Sequence, residues 1–276
     1  MPLALVSIST APLLRPMPPA RIRLSPSRTR RRFMDQANPP SPSVNRTIRA
    51  VRVYRQVADS LETRIAAAEF EPGQRLPTER DLARDYGVSR TCVREALLAL
   101  EISGLVSIKV GSGVFVLAPP PPDHAMTLSG DLEDQPSPSD ILQARLTLEP
   151  EICALAAVSA TAEALEAIAA YVQKMRDEHR MSAETENGDR EFHFAIARAT
   201  QNPVLLGLLQ RIWQDMTGPM WQSLQKHIRS PILRLHWIDD HETVLEALRS
   251  GNGDQARAAM RRHIENVIDA LDSGNF

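Results

Sequence analysis

Two predicted helices joined by a very short turn constrain this chain more than any other feature. Thr78 starts the first of them as its N-cap, and Gly87 ends it, because glycine readily takes the left-handed conformation found after helix ends. Ser89 then caps the next helix, so the link is only residues 87–89. A link of this length that contains glycine is typical of a helix-turn-helix.

The segments on either side of the turn complete a small domain. Before it, apolar residues recur every four positions from Val53 to Ile65, which predicts a helix ending near Pro72-Gly73. After it, the third helix should run to about Ser103, and β-rich runs at 105–109 and 114–117 flank a glycine-containing turn. Three helices plus a β-hairpin wing predict a winged helix-turn-helix domain over residues 46–118, a fold that binds DNA.

The third predicted helix divides into an apolar face and a polar face. Its apolar positions have the spacing of a core-facing stripe: Val93, Ala96, Leu97 and Leu100. That spacing leaves Arg90, Thr91 and Arg94 outside, where recognition helices meet base edges and phosphates. Arg80, in the preceding helix, is placed to join them, and an Arg fork can bind guanine or phosphate bidentately. The alternative is that these arginines form surface ion pairs with Glu79, Glu95 or Asp81.

Charge is distributed unevenly along a chain whose formal net charge is only -2. Residues 1–33 carry seven Arg and no acid, residues 46–117 carry 11 basic against 9 acidic side chains, and residues 118–276 carry 14 against 24. This asymmetry is expected if the N-terminal half meets phosphates. No run of about 18 apolar residues predicts a membrane span. Two cysteines cannot build a disulfide framework, so we expect a cytoplasmic protein.

Two segments have the composition of irregular structure. Residues 1–45 are rich in Pro, Ser and Arg and are expected to be a disordered basic tail. The tail is either an arm that adds nonspecific DNA affinity or a dispensable extension, for which Met34 would open a shorter chain. Residues 119–138 begin with four prolines and are predicted to be a semi-rigid linker.

The remainder, residues 139–276, reads as helical throughout. Amphipathic segments begin near six positions: Ser139, Thr161, Glu184, Pro203, Pro231 and Gly253. We therefore expect an all-α bundle of six or seven helices, large enough to bury a core and to leave a pocket inside it.

Four polar residues of this bundle could converge on a metal ion. Asp189 and His193 are four apart and so share one helix face. His241 and His263 each lie about ten residues from the breaker at 250–253, so two antiparallel helices would bring them level. One carboxylate and three imidazoles suit a divalent ion such as Zn, Ni, Mn or Fe. The alternative is that each histidine is ordinary core or surface decoration.

Arg145 and Glu149 are also four apart, on the first bundle helix. From spacing alone they form an ordinary intrahelical ion pair, which contributes only a few tenths of a kcal/mol. Trp213 and Trp221, taken from the sequence alone, fit residues that pack between helices.

Several strings in the N-terminal region resemble the DNA-binding domain of the GntR family of bacterial transcription regulators. The similarity rests on LPTERDLA at 76–83, GVSR at 87–90, VREAL at 93–97 and GSGVFV at 111–116. The resemblance implies that Arg80, Arg90, Thr91, Arg94 and the wing glycine Gly111 contact operator DNA. With the capping residue Ser89, they form the expected interface.

The C-terminal region resembles the FCD effector domain of the FadR branch of that family. This resemblance implies that Asp189, His193, His241 and His263 are metal ligands, and that Arg145 can hold the carboxylate of an effector. The strings FHFAIARATQN at 192–202 and RIWQDMTGPMWQSLQKHIRS at 211–230 are similar to repressors of hexuronate utilisation, those of galacturonate and glucuronate. The expected effector contacts are Arg145, Glu149 and Trp213.

Together these features predict a homodimeric transcriptional regulator and no enzyme. It would bind a palindromic operator in double-stranded DNA and release it when a sugar acid binds at the metal site. Two alternatives stay open at this point: a sensor for which the metal itself is the signal, and a metal-dependent enzyme fused to a DNA-binding domain.

Overall fold

The computed structural model of this chain describes residues 52–118, 135–182, 187–228 and 230–273. The predicted basic tail and most of the predicted linker lie outside these ranges. The N-terminal part comprises three helices, α1 (Val53–Ala66), α2 (Glu79–Tyr86) and α3 (Arg90–Ile102), and two strands, β1 (Val106–Lys109) and β2 (Gly113–Val116). The predicted fold class is confirmed: a winged helix-turn-helix followed by helices alone in the described part of the chain.

The predicted caps of the helix-turn-helix form as expected. The side chain of Thr78 accepts a hydrogen bond from the backbone N–H of Asp81, and that of Ser89 accepts one from Cys92. Gly87 ends α2 with φ of 67°, a conformation that costs glycine little. The apolar face of α3 packs on α1 and α2, which holds the two helices around the short turn.

The first helix ends earlier than the sequence predicted. It stops at Ala66 rather than near Pro72-Gly73, and Ala68 follows with φ of 57°. The early stop lets Phe70 turn back into the core, where it is buried. It also frees residues 73–76 to run beside β2, since the N–H groups of Gly73 and Leu76 donate to carbonyls of that strand.

The wing is a short antiparallel hairpin. Val106 of β1 pairs with Val116 of β2, and Lys109 pairs with Gly113. Gly111 lies at the exposed tip with φ of 74°, in the left-handed region that favours glycine. The tip can therefore approach another molecule without a side chain at that position.

The C-terminal part is a bundle of seven helices within the described residues. They are α4 (Pro138–Ser159), α5 (Ala162–Arg180), α6 (Gly188–Ala199), α7 (Pro203–Asp215), α8 (Pro219–Ile228), α9 (Pro231–Arg249) and α10 (Gly253–Ser273). The sequence predicted one segment from Pro203 to the start of α9, but the chain breaks at Thr217-Gly218 and resumes as α8. Proline at the first position of α8 cannot continue the preceding helix, which explains the break.

Packing in the bundle brings four helices around one point. α4 lies along α10, which runs beside α9, and α6 contacts both α4 and α5. The inward faces of α4, α6, α9 and α10 carry the buried polar side chains described below. None of the helices described is long and apolar enough to cross a lipid bilayer.

Candidate metal centre and nucleic-acid interface

Asp189, His193, His241 and His263 form one cluster at the centre of the bundle. One ligand atom from each lies within 4.8 Å of those of the other three. The Nε2 atom of His241 is 3.0 Å from Oδ1 of Asp189 and 3.4 Å from Nε2 of His193. The rings of His241 and His263 meet across α9 and α10 with centroids 4.2 Å apart. The structure thus brings together the four residues that the sequence singled out.

These separations fit a divalent metal ion. Ligand atoms held about 2.0–2.1 Å from a tetrahedral ion lie about 3.3–3.4 Å from one another. Two pairs have this separation: Nε2 of His193 lies 3.4 Å from Nε2 of His241 and 3.4 Å from Oδ1 of Asp189. Three imidazoles and one carboxylate are also donors that transition metals accept. The cluster could therefore hold such an ion with little rearrangement.

A second set of acceptors faces the other nitrogen of each ring. Nδ1 of His193 contacts Oε2 of Glu149, and Nδ1 of His241 lies 2.5 Å from the carbonyl oxygen of Trp237. Nδ1 of His263 is 3.7 Å from a carboxylate oxygen of Asp240, which is too far for a hydrogen bond in this arrangement. Acceptors at Nδ1 of His193 and His241 favour the tautomer in which Nε2 carries the free lone pair, as metal-binding histidines require.

The protonation of the cluster follows from burial and neighbouring charges. Burial, together with the charge of His241, lowers the pKa of His263 to about 3, which keeps this ring neutral. Burial also opposes protonation of His193, but the carboxylates of Glu149 and Asp189 outweigh it and raise its pKa. The pKa of Asp189 is held well below its ordinary value: desolvation among the buried rings opposes this shift, but the contacts of the carboxylate with His193 and His241 outweigh it. An ionised carboxylate and a neutral imidazole are the forms that bind metal, so Asp189 and His263 are ready to do so, whereas a protonated His193 must release the proton at Nε2.

The cluster opens onto a cavity of about 230 Å³. All seven bundle helices contribute to its walls, and Asp189, His241 and His263 lie among the lining residues. The side chain of Asp189 is 45% exposed, whereas the three histidines are buried. The ligand cluster is therefore accessible from the cavity through its carboxylate side.

The three predicted effector contacts are not equivalent in the structure. Arg145 and Trp213 line the cavity, with the guanidinium 4.6 Å from the centre of the indole ring. Glu149 does not belong to the described walls of the cavity; it lies behind Arg145 with 2% of its surface exposed. It accepts a hydrogen bond of 2.7 Å from Nε of Arg145 and one of 3.3 Å from Nε1 of Trp213. Burial opposes its ionisation, but Arg145 and then His193 hold its pKa at about 2.

Other polar residues of the cavity were not identified from the sequence. The walls also include Glu178, Arg190, Thr217, Gln225 and Arg234. Glu178 accepts hydrogen bonds from the backbone N–H groups of Asn187 and Gly188 and so fixes the start of α6. Helix spacing alone does not indicate which polar side chains face inward, because each of them also fits a solvated surface.

Most of the predicted DNA-binding residues lie on one accessible surface. Arg80, Ser89, Arg90 and Gly111 are exposed, and Thr91 is half-buried. The side chain of Arg90 is 46% exposed and touches Glu79 only at 3.5 Å. These residues come from α2, the turn, α3 and the wing, the elements that a winged helix-turn-helix presents to DNA.

Arg94 departs from the expectation that it lies outside. Its side chain is 3% exposed, with Nε 2.9 Å and Nη2 2.6 Å from the two carboxylate oxygens of Glu79. The sequence interpretation of Arg94 as an exposed residue was wrong because Glu79, at the start of α2, draws the guanidinium between the two helices. The pair joins α2 to α3, so Arg94 fixes the geometry of the helix-turn-helix.

Two glutamates of α3 connect the DNA-binding part to the bundle. Glu95 accepts hydrogen bonds from the backbone N–H and the hydroxyl of Ser139, at 2.9 and 2.5 Å. Glu101 accepts one of 2.8 Å from Ser223 and lies 2.6 Å from Nε2 of His227, both on α8. Burial opposes ionisation of Glu101, but its contacts, first that with His227, lower its pKa. The two parts of the chain are thus joined by direct contacts.

A winged helix-turn-helix attached to a helical domain with its own cavity defines a class of protein, the bacterial transcriptional regulators that combine both parts in one chain. Residues 53–116 match the family described as "Bacterial regulatory proteins, gntR family", and residues 140–266 match the FCD domain. The chain belongs to the GntR family and carries an FCD domain.

Curated relatives extend the match over most of the chain. The Uxu operon transcriptional regulator of Escherichia coli K12 is 37% identical over 225 residues, which cover 80% of this chain and 88% of that protein. The Uxu operon regulator of Haemophilus influenzae is 36% identical, over a match that covers 78% of this chain and 80% of that protein. The Exu regulon transcriptional regulator of E. coli K12 is 35% identical, over a match that covers 78% of this chain and 83% of that protein. The chain is a transcriptional regulator rather than an enzyme, as these relatives are.

The buried pair between Glu79 and Arg94 leads to a stability prediction. Replacing Glu79 with Ala leaves a buried guanidinium without its carboxylate, which should lower the free energy of unfolding by about 3–5 kcal/mol. Urea denaturation of the full chain measures this change. Asp85→Ala is the control, because its pair with Arg84 is exposed and should contribute less than about 1 kcal/mol. Equal stabilities of the two variants would contradict the structural role of the pair.

Proposed function

We propose that this regulator is a homodimeric repressor that binds a palindromic operator and leaves it when a sugar acid of the hexuronate type binds in the bundle. The effector binds beside a divalent metal ion held by Asp189, His193, His241 and His263. The clearest support is that this cluster opens onto the cavity, with Arg145 among the lining residues.

The chemistry of the cavity favours an acid with several hydroxyl groups. When bound, the metal ion supplies a Lewis-acidic centre for carboxylate and hydroxyl oxygens. Arg145 offers a guanidinium for the carboxylate, and Thr217 and Gln225 offer neutral donors and acceptors for hydroxyls. The similarity of residues 192–202 and 211–230 to regulators of hexuronate utilisation, and the Uxu and Exu relatives, support this class of effector.

Operator binding would use the exposed residues of the helix-turn-helix and the wing. Arg80, Arg90 and Thr91 can reach base edges or phosphates, and Gly111 allows close approach of the wing tip. Ser89 caps α3 and orients its first turn toward DNA. Arg94 supports this surface through Glu79 and reaches DNA only if that pair opens.

Helix α8 offers a route between the two sites. Trp221 and Gln225 line the cavity on one side of this helix, whereas Ser223 and His227 contact Glu101 on the other. Glu101 also accepts a hydrogen bond of 3.0 Å from the backbone N–H of Ile108 in the wing. A shift of α8 on effector binding would therefore reach both α3 and the wing. By linkage, an effector that weakens DNA binding must itself bind the DNA-bound form more weakly.

The central prediction concerns metal and effector together. With zinc present, D-galacturonate or D-glucuronate should weaken binding to a DNA fragment selected by the protein from a random pool at least tenfold, whereas zinc alone should change it less than twofold. Fluorescence anisotropy of the labelled fragment measures both. His241→Ala should abolish the response, and the exposed His236→Ala should retain it. Release by zinc alone would support the metal-sensor alternative, and an unchanged affinity with every uronate would contradict the proposal.

The DNA-binding surface is tested at Arg90. Arg90→Ala should weaken binding to the same fragment by about 1–3 kcal/mol, because it removes a bidentate contact to a base or phosphate. Arg211→Ala, an exposed arginine of α7, is the matched control and should leave the affinity unchanged. Wild-type affinity in the Arg90 variant would contradict the assignment of this surface.

The role of α8 is tested at His227. His227→Ala removes one of the two α8 contacts to Glu101, so the uronate should weaken DNA binding at least threefold less than it does in the wild type. The effector affinity of the free protein should stay within about twofold, since His227 is not among the described lining residues of the cavity. An undiminished response, equal to that of His236→Ala, would show that coupling takes another route.

A further inference from the structure

The carboxylate of Glu149 contacts His193, one of the four candidate metal ligands, with one oxygen and Arg145 with the other. Oε2 contacts Nδ1 of His193, and Oε1 accepts a hydrogen bond of 2.7 Å from Nε of Arg145. Trp213 adds a third donor at 3.3 Å from Oε1. One buried side chain on α4 thus contacts His193 on α6 as well as Arg145 on α4 and Trp213 on α7, which line the cavity.

This arrangement differs from an ordinary ion pair between residues four apart on a helix. Such pairs are usually exposed and contribute little, because water competes for both charges. Here both side chains are nearly fully buried, with 3% of Arg145 and 2% of Glu149 exposed. The geometry of a buried, multiply bonded carboxylate is fixed by its donors, so it can in turn fix theirs.

For His193, the contact decides which ring nitrogen faces the cluster. A carboxylate at Nδ1 retains the proton there, so the proton that a metal ion would displace is the one at Nε2, the nitrogen that faces Asp189 and His241. For Arg145, the bond at Nε fixes the plane of the guanidinium, whose Nη2 lies 3.4 Å from Nε2 of His193. The edge that can receive an anion is therefore held next to the ligand cluster.

We infer that Glu149 is a positioning residue that orients His193 for the metal ion and Arg145 for the effector's carboxylate at the same time. It does not contact the effector itself. This inference rests on the proposed function and adds to it that the two subsites share one support. Metal affinity and uronate affinity should consequently fall together when the carboxylate of Glu149 is altered.

The test compares Glu149→Gln with Glu151→Gln, an exposed glutamate on the same helix that pairs with Arg257. In the full chain, zinc affinity measured by chelator competition should fall about 10–100-fold in Glu149→Gln and stay within about twofold in Glu151→Gln. D-Galacturonate affinity at saturating zinc should fall at least fivefold in the first variant alone. At a pH high enough to leave His193 neutral, the ¹⁵N NMR signals of the metal-free protein should show its proton at Nδ1 in the wild type and not uniquely there in Glu149→Gln.

Glu149→Asp covers the case in which the glutamine variant does not fold. It keeps a negative charge in the buried site but withdraws the carboxylate by one methylene from His193, Arg145 and Trp213 alike. It should fold, bind zinc more weakly than the wild type and lose the uniform His193 tautomer.

The possible outcomes separate this inference from the proposed function. Wild-type zinc affinity and an unchanged His193 tautomer in either Glu149 variant, with only a lower unfolding midpoint, would show a purely structural role and overturn the inference alone. A wild-type protein that binds neither zinc nor a uronate would overturn the proposed function and the inference together.

Discussion

The interior of the bundle depends on holding several polar and charged side chains against one another away from water. Three imidazoles, two carboxylates and a guanidinium meet where α4, α6, α7, α9 and α10 converge. Burial of such groups costs free energy unless each finds a partner, and apolar residues of similar size would often be at least as stable. A polar centre of this kind is best explained by a ligand that uses it. The surrounding contacts of Glu149, Asp240 and the Trp237 carbonyl hold the rings in one arrangement.

Helix α8 connects this polar centre to the DNA-binding part of the chain. Helix α8 has a side that lines the cavity and a side that contacts Glu101 of α3, so a single ten-residue helix lies between the cavity and the second helix of the helix-turn-helix. The pair between Glu79 and Arg94 holds α2 and α3 as a rigid unit. Movement at α8 would thus be transmitted to the helix-turn-helix as a whole rather than absorbed within it.

The sequence predicted the architecture because local chemistry determines it. Thr78, Gly87 and Ser89 fix the helix-turn-helix through caps and a left-handed turn, which depend on neighbours within a few residues. The four metal-ligand candidates were also identified, since Asp189 and His193 share a face and His241 and His263 flank one turn symmetrically. The break between α7 and α8 was missed, although Gly218-Pro219 carried a signal for it.

The errors of prediction have a common physical origin in tertiary contacts. Spacing placed Arg94 outside α3, but Glu79, 15 residues earlier, draws it into a buried pair. The helix spacing of Arg145 and Glu149 gave no sign that Glu149 faces His193, 44 residues away, rather than the cavity. The end of α1 at Ala66 goes with the burial of Phe70 in the core, and the spacing of apolar residues in this segment did not indicate that burial. Which way a polar side chain points depends on partners that the sequence separates widely.

The most direct test of the ligand site is a crystal structure of the full chain grown with zinc and D-galacturonate, with diffraction data collected on both sides of the zinc absorption edge. The account predicts one anomalous peak among Asp189, His193, His241 and His263, with uronate density in the cavity and its carboxylate at Arg145. A zinc peak elsewhere with these four side chains unchanged, or uronate density outside the cavity, would contradict it.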